Sequence, residues 1–235
     1  MLILGAKGHA IELLDCLAPA EQARELCFFD DVNPDLPVLL YGRFPILRSL
    51  SEVAELLRRS PRFALGLGQP AARYQLAHKL QQLGGELTSV VSAAAHIGTF
   101  DIRLGAGLNI MHGVLLSNST RVGEGSLLNT AASIHHDVQV GAYCEVSPGA
   151  RLLGGSRIGD FCRIGSNATI LPRVKLGHNV QVGAGAVVTA DVADHSVVVG
   201  VPARVVKQLP PPPWWPLNGP VLVGNESLDS DSPGK

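Results

Sequence analysis

His135-His136-Asp137 is the stretch of this chain best equipped for chemistry. An imidazole beside a carboxylate is the pair general-base work needs: the carboxylate orients the ring and stabilises the imidazolium that forms. His136, directly before Asp137, is the candidate base; the competing reading is an ordinary solvated histidine. Two further groups are placed for ligands. Gly5-Ala6-Lys7-Gly8 follows an apolar strand, Leu2 to Leu4, and precedes a helically spaced segment from His9 to Leu17. There the glycines let backbone N–H groups approach a diphosphate or carboxylate at a helix start, although a plain tight turn explains them equally well. Asp30-Asp31 ends a second strand, Leu26 to Phe29, where parallel sheets bind ligands. The two carboxylates read either as acceptors for a base or ribose or as a solvated acidic turn.

The elements that must hold these groups are set by a repeat. Fifteen aliphatic residues stand six apart from Leu104 to Val188, and a second phase of small or compact residues runs four positions after each, from Leu108 to Val192. Neither a period of 3.6 nor plain alternation yields this pattern; six-residue repetition marks a parallel β-helix whose coils stack apolar corners. Inward positions are core, so functional side chains must come from corners and loops. His112, His136 and His178 share the third position of their hexads, whereas His78, His96 and His195 read as solvated. Residues 1 to about 90 instead alternate strands (Leu2 to Leu4, Leu26 to Phe29, Phe63 to Leu67, with Thr88 to Val91 as a fourth candidate) with helices, which argues for a small parallel sheet.

Composition narrows the function. The 235 residues are 46% hydrophobic and 17% charged, with net charge −1 and no basic cluster longer than Arg58-Arg59, which argues against a nucleic-acid surface. No signal peptide is legible and no apolar run reaches the ~18 residues of a membrane span, so a cytoplasmic location is expected. Cys144 and Cys162, one coil apart, should stack roughly 4.8 Å from each other and read as inward core thiols rather than a disulfide.

Several motifs together resemble the NeuD/PglD type of bacterial sugar acyltransferases, over roughly residues 1 to 207. They are Gly5-Ala6-Lys7-Gly8-His9-Ala10, Asp30-Asp31, Leu65-Gly66-Leu67-Gly68, Asn129-Thr130, His136-Asp137 with Val140-Gly141, Asn167 with Ile170-Leu171-Pro172, and Gly200-Val201-Pro202-Ala203-Arg204. The resemblance implies an α/β Rossmann-like subdomain followed by a left-handed parallel β-helix. Its layout would be a small βαβ nucleotide-sugar-binding domain over 1–92, an acyltransferase β-helix over 93–194, a C-terminal cap over 195–207 and a disordered Pro-rich tail over 208–235. It also implies a homotrimer with acetyl-CoA as co-substrate in the groove between neighbouring solenoids, no metal, and transfer to an amino or hydroxyl group of a nucleotide-activated sugar or sialic acid in polysaccharide biosynthesis.

Carried over by position, His136 is the general base, Asp137 its acidic support and Gly154 a backbone N–H for the thioester oxyanion. Ser166 and Ala184 would contact the CoA arm. Lys7, Gly8, His9, Asp30, Asp31, Gly68 and Asn129 would bind the nucleotide sugar. One position departs: Glu145, nine residues after the base, stands where the bacillosamine-pathway enzymes carry a second histidine near acetyl-CoA. Two rival readings accompany this one. A trimeric zinc hydratase would use His112 and His136, but no His-x4-His pair completes its ligand set. A non-catalytic sugar-nucleotide-binding or scaffold subunit is the other.

Overall fold

The structure is a computed structural model described over residues 1–17 and 26–212; the expected Pro-rich tail from Pro213 onward lies outside the described residues. The first part is a six-stranded sheet in the order β3-β4-β2-β1-β5-β6. Its strands are β1 (Leu2–Leu4), β2 (Cys27–Phe29), β3 (Leu39–Leu40), β4 (Phe44–Leu47), β5 (Arg62–Leu65) and β6 (Glu86–Leu87). All neighbours pair in parallel except β3 with β4. Among the described residues three helices cover it: α1 (His9–Cys16), α2 (Leu50–Arg59) and α3 (Pro70–Gln82). The central strand β1 is flanked by β2 on one side and β5 on the other, so the order reverses at β1, the place where open parallel sheets bind ligands. Gly66, just past β5, permits this packing: a Cβ there would stand 2.4 Å from the Leu4 carbonyl oxygen and 2.7 Å from Ala10 Cβ.

Helix α2 was not anticipated. Its start is nevertheless written as Ser49-x-x-Glu52, and both halves of the reciprocal capping box form. The candidate fourth strand is also corrected. Glu86–Leu87 closes the first sheet against β5, whereas β7 (Val90–Val91) already pairs with Asn109–Ile110 of the repeat. The chain changes partners between them: Thr88 N–H still donates to Phe63 O, but Val90 N–H donates to Leu108 O.

From β7 to β23 (Val187–Val188) the chain is a left-handed parallel β-helix of two-residue strands. The strands stack into three faces of six, six and five strands, called here the first, second and third. After a first coil of nineteen residues, with Val90 opposite Asn109, each coil to β23 takes eighteen, as in Leu115 opposite Ser133. The six-residue aliphatic phase is the second residue of every strand, and from Ile110 to Val188 it is buried; Leu104, on the first full coil, is 39% exposed. The second phase is buried from Leu108 to Val192. A third phase turns each corner: every sixth residue from Gly107 to Gly185 has positive φ. Nine of these fourteen positions hold Gly, Asn or Asp in line with the left-handed preference; Ser119, Ala131 and Arg173 do not, and neither do the aromatic Tyr143 and Phe161. Those two rings stack with centroids 5.7 Å apart and take the edge of Tyr74 from α3 at 5.2 and 5.4 Å. Their burial against α3 offsets the backbone cost of roughly 1–2 kcal/mol per residue.

The open end is closed by an antiparallel hairpin, β24 (Ser196–Gly200) and β25 (Ala203–Gln208), which extends the first face through β22 (Gln181–Val182). Cys144 and Cys162 are free and fully buried.

Candidate functional site

His136 and Asp137 lie at the corner between the second and third faces, after β14 (Ser133–Ile134) and before β15 (Gln139–Val140). Asp137 takes the left-handed turn position, φ 61°. This swings its carboxylate back to His136, so that the ring Nδ1–H donates to Oδ2 at 2.8 Å. Nε2 is left as the free base. Both side chains are well exposed, 72% and 64%. One rung on, Gly154 passes under the ring: a Cβ there would stand 2.5 Å from Cε1 and from Nε2.

The corner N–H groups divide into capped and open. At the third-to-first corner, Ala142 N–H donates to Asp160 Oδ1, Asp160 N–H to His178 Nδ1 and His178 N–H to Asp194 Oδ1. The corresponding N–H groups of Gly154, Ser166 and Ala184 have no acceptor among the described residues. These are the three backbone positions singled out from the sequence. Gly154 shares the corner of His136. Ser166 and Ala184 lie on the opposite edge of the second face, at its corner with the first, and Asn129 occupies that edge too, its side chain accepting from Thr130 N–H at 2.8 Å.

The N-terminal candidates cluster at the strand ends around β1. Gly8 precedes α1 with φ 50°, and Lys7 Nζ donates to Asn33 Oδ1 at 3.2 Å. His9 opens α1, with Nδ1 facing Glu12 at 3.4 Å and Nε2 buried without a partner among the described residues. Burial, helped by the charge of Arg73 and opposed by Glu12, lowers its pKa to about 4, so the ring is neutral near pH 7. The Asp30 carboxylate is used up within its own loop. It accepts from Ala6 N–H, Val32 N–H, Asn33 N–H and Asn33 Nδ2 at 2.9 to 3.2 Å. Burial pushes its carboxyl up, but these hydrogen bonds outweigh that and hold it below the usual range. Asp30 therefore builds the loop, whereas Asp31 is exposed.

Glu145 opens β16 (Glu145–Val146) on the first face and takes Arg163 Nε at 3.0 Å. A Cβ on Gly68 would stand 3.5 Å from its Oε1, so Glu145 faces the N-terminal loop and not the corner of His136. Sequence reasoning missed Asn33, Arg48 and Arg73. Arg48 clasps the loop after β2 through the carbonyls of Asp30, Asn33 and Leu36 at 2.6 to 3.1 Å. A signal existed for Arg73: it stands in line with Ala77 and Leu80 on the buried stripe of α3, where a solvated arginine has no place. His112 binds Ser92 Oγ at 2.6 Å, at the corner between the first and second faces, so it and His136 are not brought together in this chain. No group of three or more metal-ligating side chains forms among the described residues, nor is any described helix long and apolar enough to cross a membrane.

Residues 1–80 match the PglD N-terminal domain family, and residues 155–190 match the bacterial transferase hexapeptide family. Among curated proteins, none matches this chain. Solved structures do. PerB from Caulobacter crescentus, in complex with CoA and GDP-perosamine, is 28% identical with TM-score 0.78, covering 88% of this chain and 96% of that one. The acetyltransferase domain of PglB from Neisseria gonorrhoeae, with acetyl coenzyme A, is 29% identical with TM-score 0.77, covering 87% and 98%. WeeI from Acinetobacter baumannii is 25% identical with TM-score 0.79, covering 87% and 98%.

Proposed function

We propose, for a chain that is of the NeuD/PglD acyltransferase type, direct transfer of an acetyl group from acetyl-CoA to an amino or hydroxyl group of a nucleotide-linked sugar. The observation that carries this reading is the His136 Nδ1–H···Asp137 bond of 2.8 Å, beside the open N–H of Gly154. Nε2 takes the proton from the acceptor as its nitrogen or oxygen attacks the thioester carbonyl. The tetrahedral oxyanion is held by the Gly154 N–H, and collapse expels the CoA thiolate, which takes up a proton. Asp137 stabilises the imidazolium in between. Transfer needs no acyl-enzyme: Cys144 is fully buried, and burial raises its thiol pKa well above the usual range, away from the reactive thiolate.

The open N–H groups of Ser166 and Ala184 suit an amide-bearing CoA arm, and the strand ends around β1 suit a nucleotide diphosphate. The two sites lie apart on one chain. The N-terminal domain covers the first face, and His136 is on the opposite corner of the triangle. An acceptor held by one domain therefore reaches His136 of a neighbouring copy, which the homotrimer implied by the resemblance would supply. The test is release of CoA thiol from acetyl-CoA in the presence of nucleotide-linked 4-amino sugars. His136→Ala should lower kcat by about 10²–10⁴. Turnover near wild type in a folded His136→Ala protein would remove His136 as the base.

A further inference from the structure

Arg73 is wholly buried, and its guanidinium hydrogen-bonds to both halves of the molecule at once. Nη1 donates to the carbonyls of Leu65 at 2.9 Å and Leu67 at 2.7 Å, which end β5 and lead into Gly68. Nε donates to Gly125 O at 2.6 Å, and Nη2 to Asn109 Oδ1 at 2.6 Å, with longer approaches to Gly107 O and Ser126 O at 3.4 Å. Those solenoid partners belong to two successive rungs. Every acceptor is neutral, so no carboxylate offsets the desolvation of the charge by direct contact; the nearest favourable charge is Glu145, acting through space. Burying a cation this way costs several kcal/mol before its hydrogen bonds are counted. An interface that needed only to be filled would use Leu or Met.

The fork instead fixes direction. Three planar N–H edges aimed at carbonyls on two domains leave one permitted placement of the loop Leu65–Gly68 over the rungs. That loop carries Gly68 against Glu145, and the Arg73 charge also reaches His9 across the ligand end of the sheet. Resting on the reading above, we propose that Arg73 is a positioning residue: it holds the acceptor-binding loop and His9 in register with the solenoid, and so sets affinity for the nucleotide sugar without touching it.

The experiment compares wild type, Arg73→Lys, Arg73→Met and Asn109→Ala. The last variant removes one acceptor, leaves the guanidinium in place and guards against loss of folding, which thermal unfolding monitors. Steady-state kinetics should show KM for the nucleotide amino sugar raised about tenfold in Arg73→Lys and more in Arg73→Met, with KM for acetyl-CoA within about twofold; Asn109→Ala should move the same way by less. Equal changes in both KM values, or unchanged sugar KM in folded variants, overturn the proposal. Calorimetric binding of UDP- and GDP-linked 4-amino sugars separates the two readings. If wild type binds these sugars but releases no CoA, the acyltransferase reading fails while weaker sugar binding by Arg73→Lys and Asn109→Ala still supports the positioning role, and equal binding sinks it.

Discussion

Gly154 lies under the His136 ring so closely that a single methyl group would stand 2.5 Å from Cε1 and Nε2. The contact is with an exposed side chain, so the ring can swing away and the fold survive. Gly154→Ala is therefore expected to unfold within a degree or two of wild type, yet lose about 10² in kcat, because misplacing a base by about 1 Å is that costly. Equal thermal midpoints with undiminished kcat would show that ring placement is not what this glycine protects.

Asp137 combines a left-handed backbone with the bond to Nδ1, so Asn is the informative replacement: it tolerates positive φ and removes the charge. An Asn amide N–H pointing at Nδ1 would shift the ring proton to Nε2, the wrong tautomer for a base. A drop of about 10²–10³ in kcat is expected, with the folded state intact. The pH profile of kcat/KM reads the result; a folded Asp137→Asn enzyme working within twofold of wild type denies the carboxylate its orienting role.

The buried His9 gives stability a pH dependence of definite sign. Its pKa falls from 6.5 in the unfolded chain to about 4 in the folded protein. Between those values the unfolded chain binds a proton that the folded protein refuses. Stability is thus complete above pH 6.5, declines as pH drops toward 4 and levels off below, by on the order of 3 kcal/mol in all. Urea unfolding at pH 7.5, 5.5 and 4.5 measures the slope, and His9→Gln should flatten it. A slope that persists in His9→Gln points to another group.

Asp30 and Asp31 are adjacent in sequence and opposite in duty. Asp30→Ala strips the loop of its hydrogen-bond acceptor and is expected to cost about 2–4 kcal/mol. Exposed Asp31→Ala should stay within about 0.5 kcal/mol in stability and weaken nucleotide-sugar binding instead. Chemical denaturation alongside calorimetry separates the two, and matching losses of stability would refute the division.

The solenoid was legible because its period is short and its two apolar phases never slip; Ile134 and Ala132 alone fix which side of the His136 corner faces inward. The left-handed phase was half hidden, since Tyr143 and Phe161 occupy it for docking reasons that depend on Tyr74, sixty-nine positions away from the first of them. Asp30 looked like a ligand acceptor because nothing local reveals that Asn33 and Ala6 fold back onto it. Glu145 is related to the cofactor by resemblance alone, and nothing local to it reveals that Gly68 of the other domain packs beside it. Arg73 carried a sequence signal, its place on an apolar stripe, while its partners on two rungs lie beyond any local pattern.

The left-handed residue at every sixth position makes chain length an angular coordinate. Six residues inserted in the repeat ahead of His136 would leave every core position apolar and every corner intact. They would also turn the N-terminal domain a third of a revolution about the axis, over a different face from the one it now covers. Eighteen would bring it back, one rung of roughly 4.8 Å farther along. Insertions and deletions in steps of six thus keep the solenoid's own core in phase, and only steps of eighteen return the domain to its face.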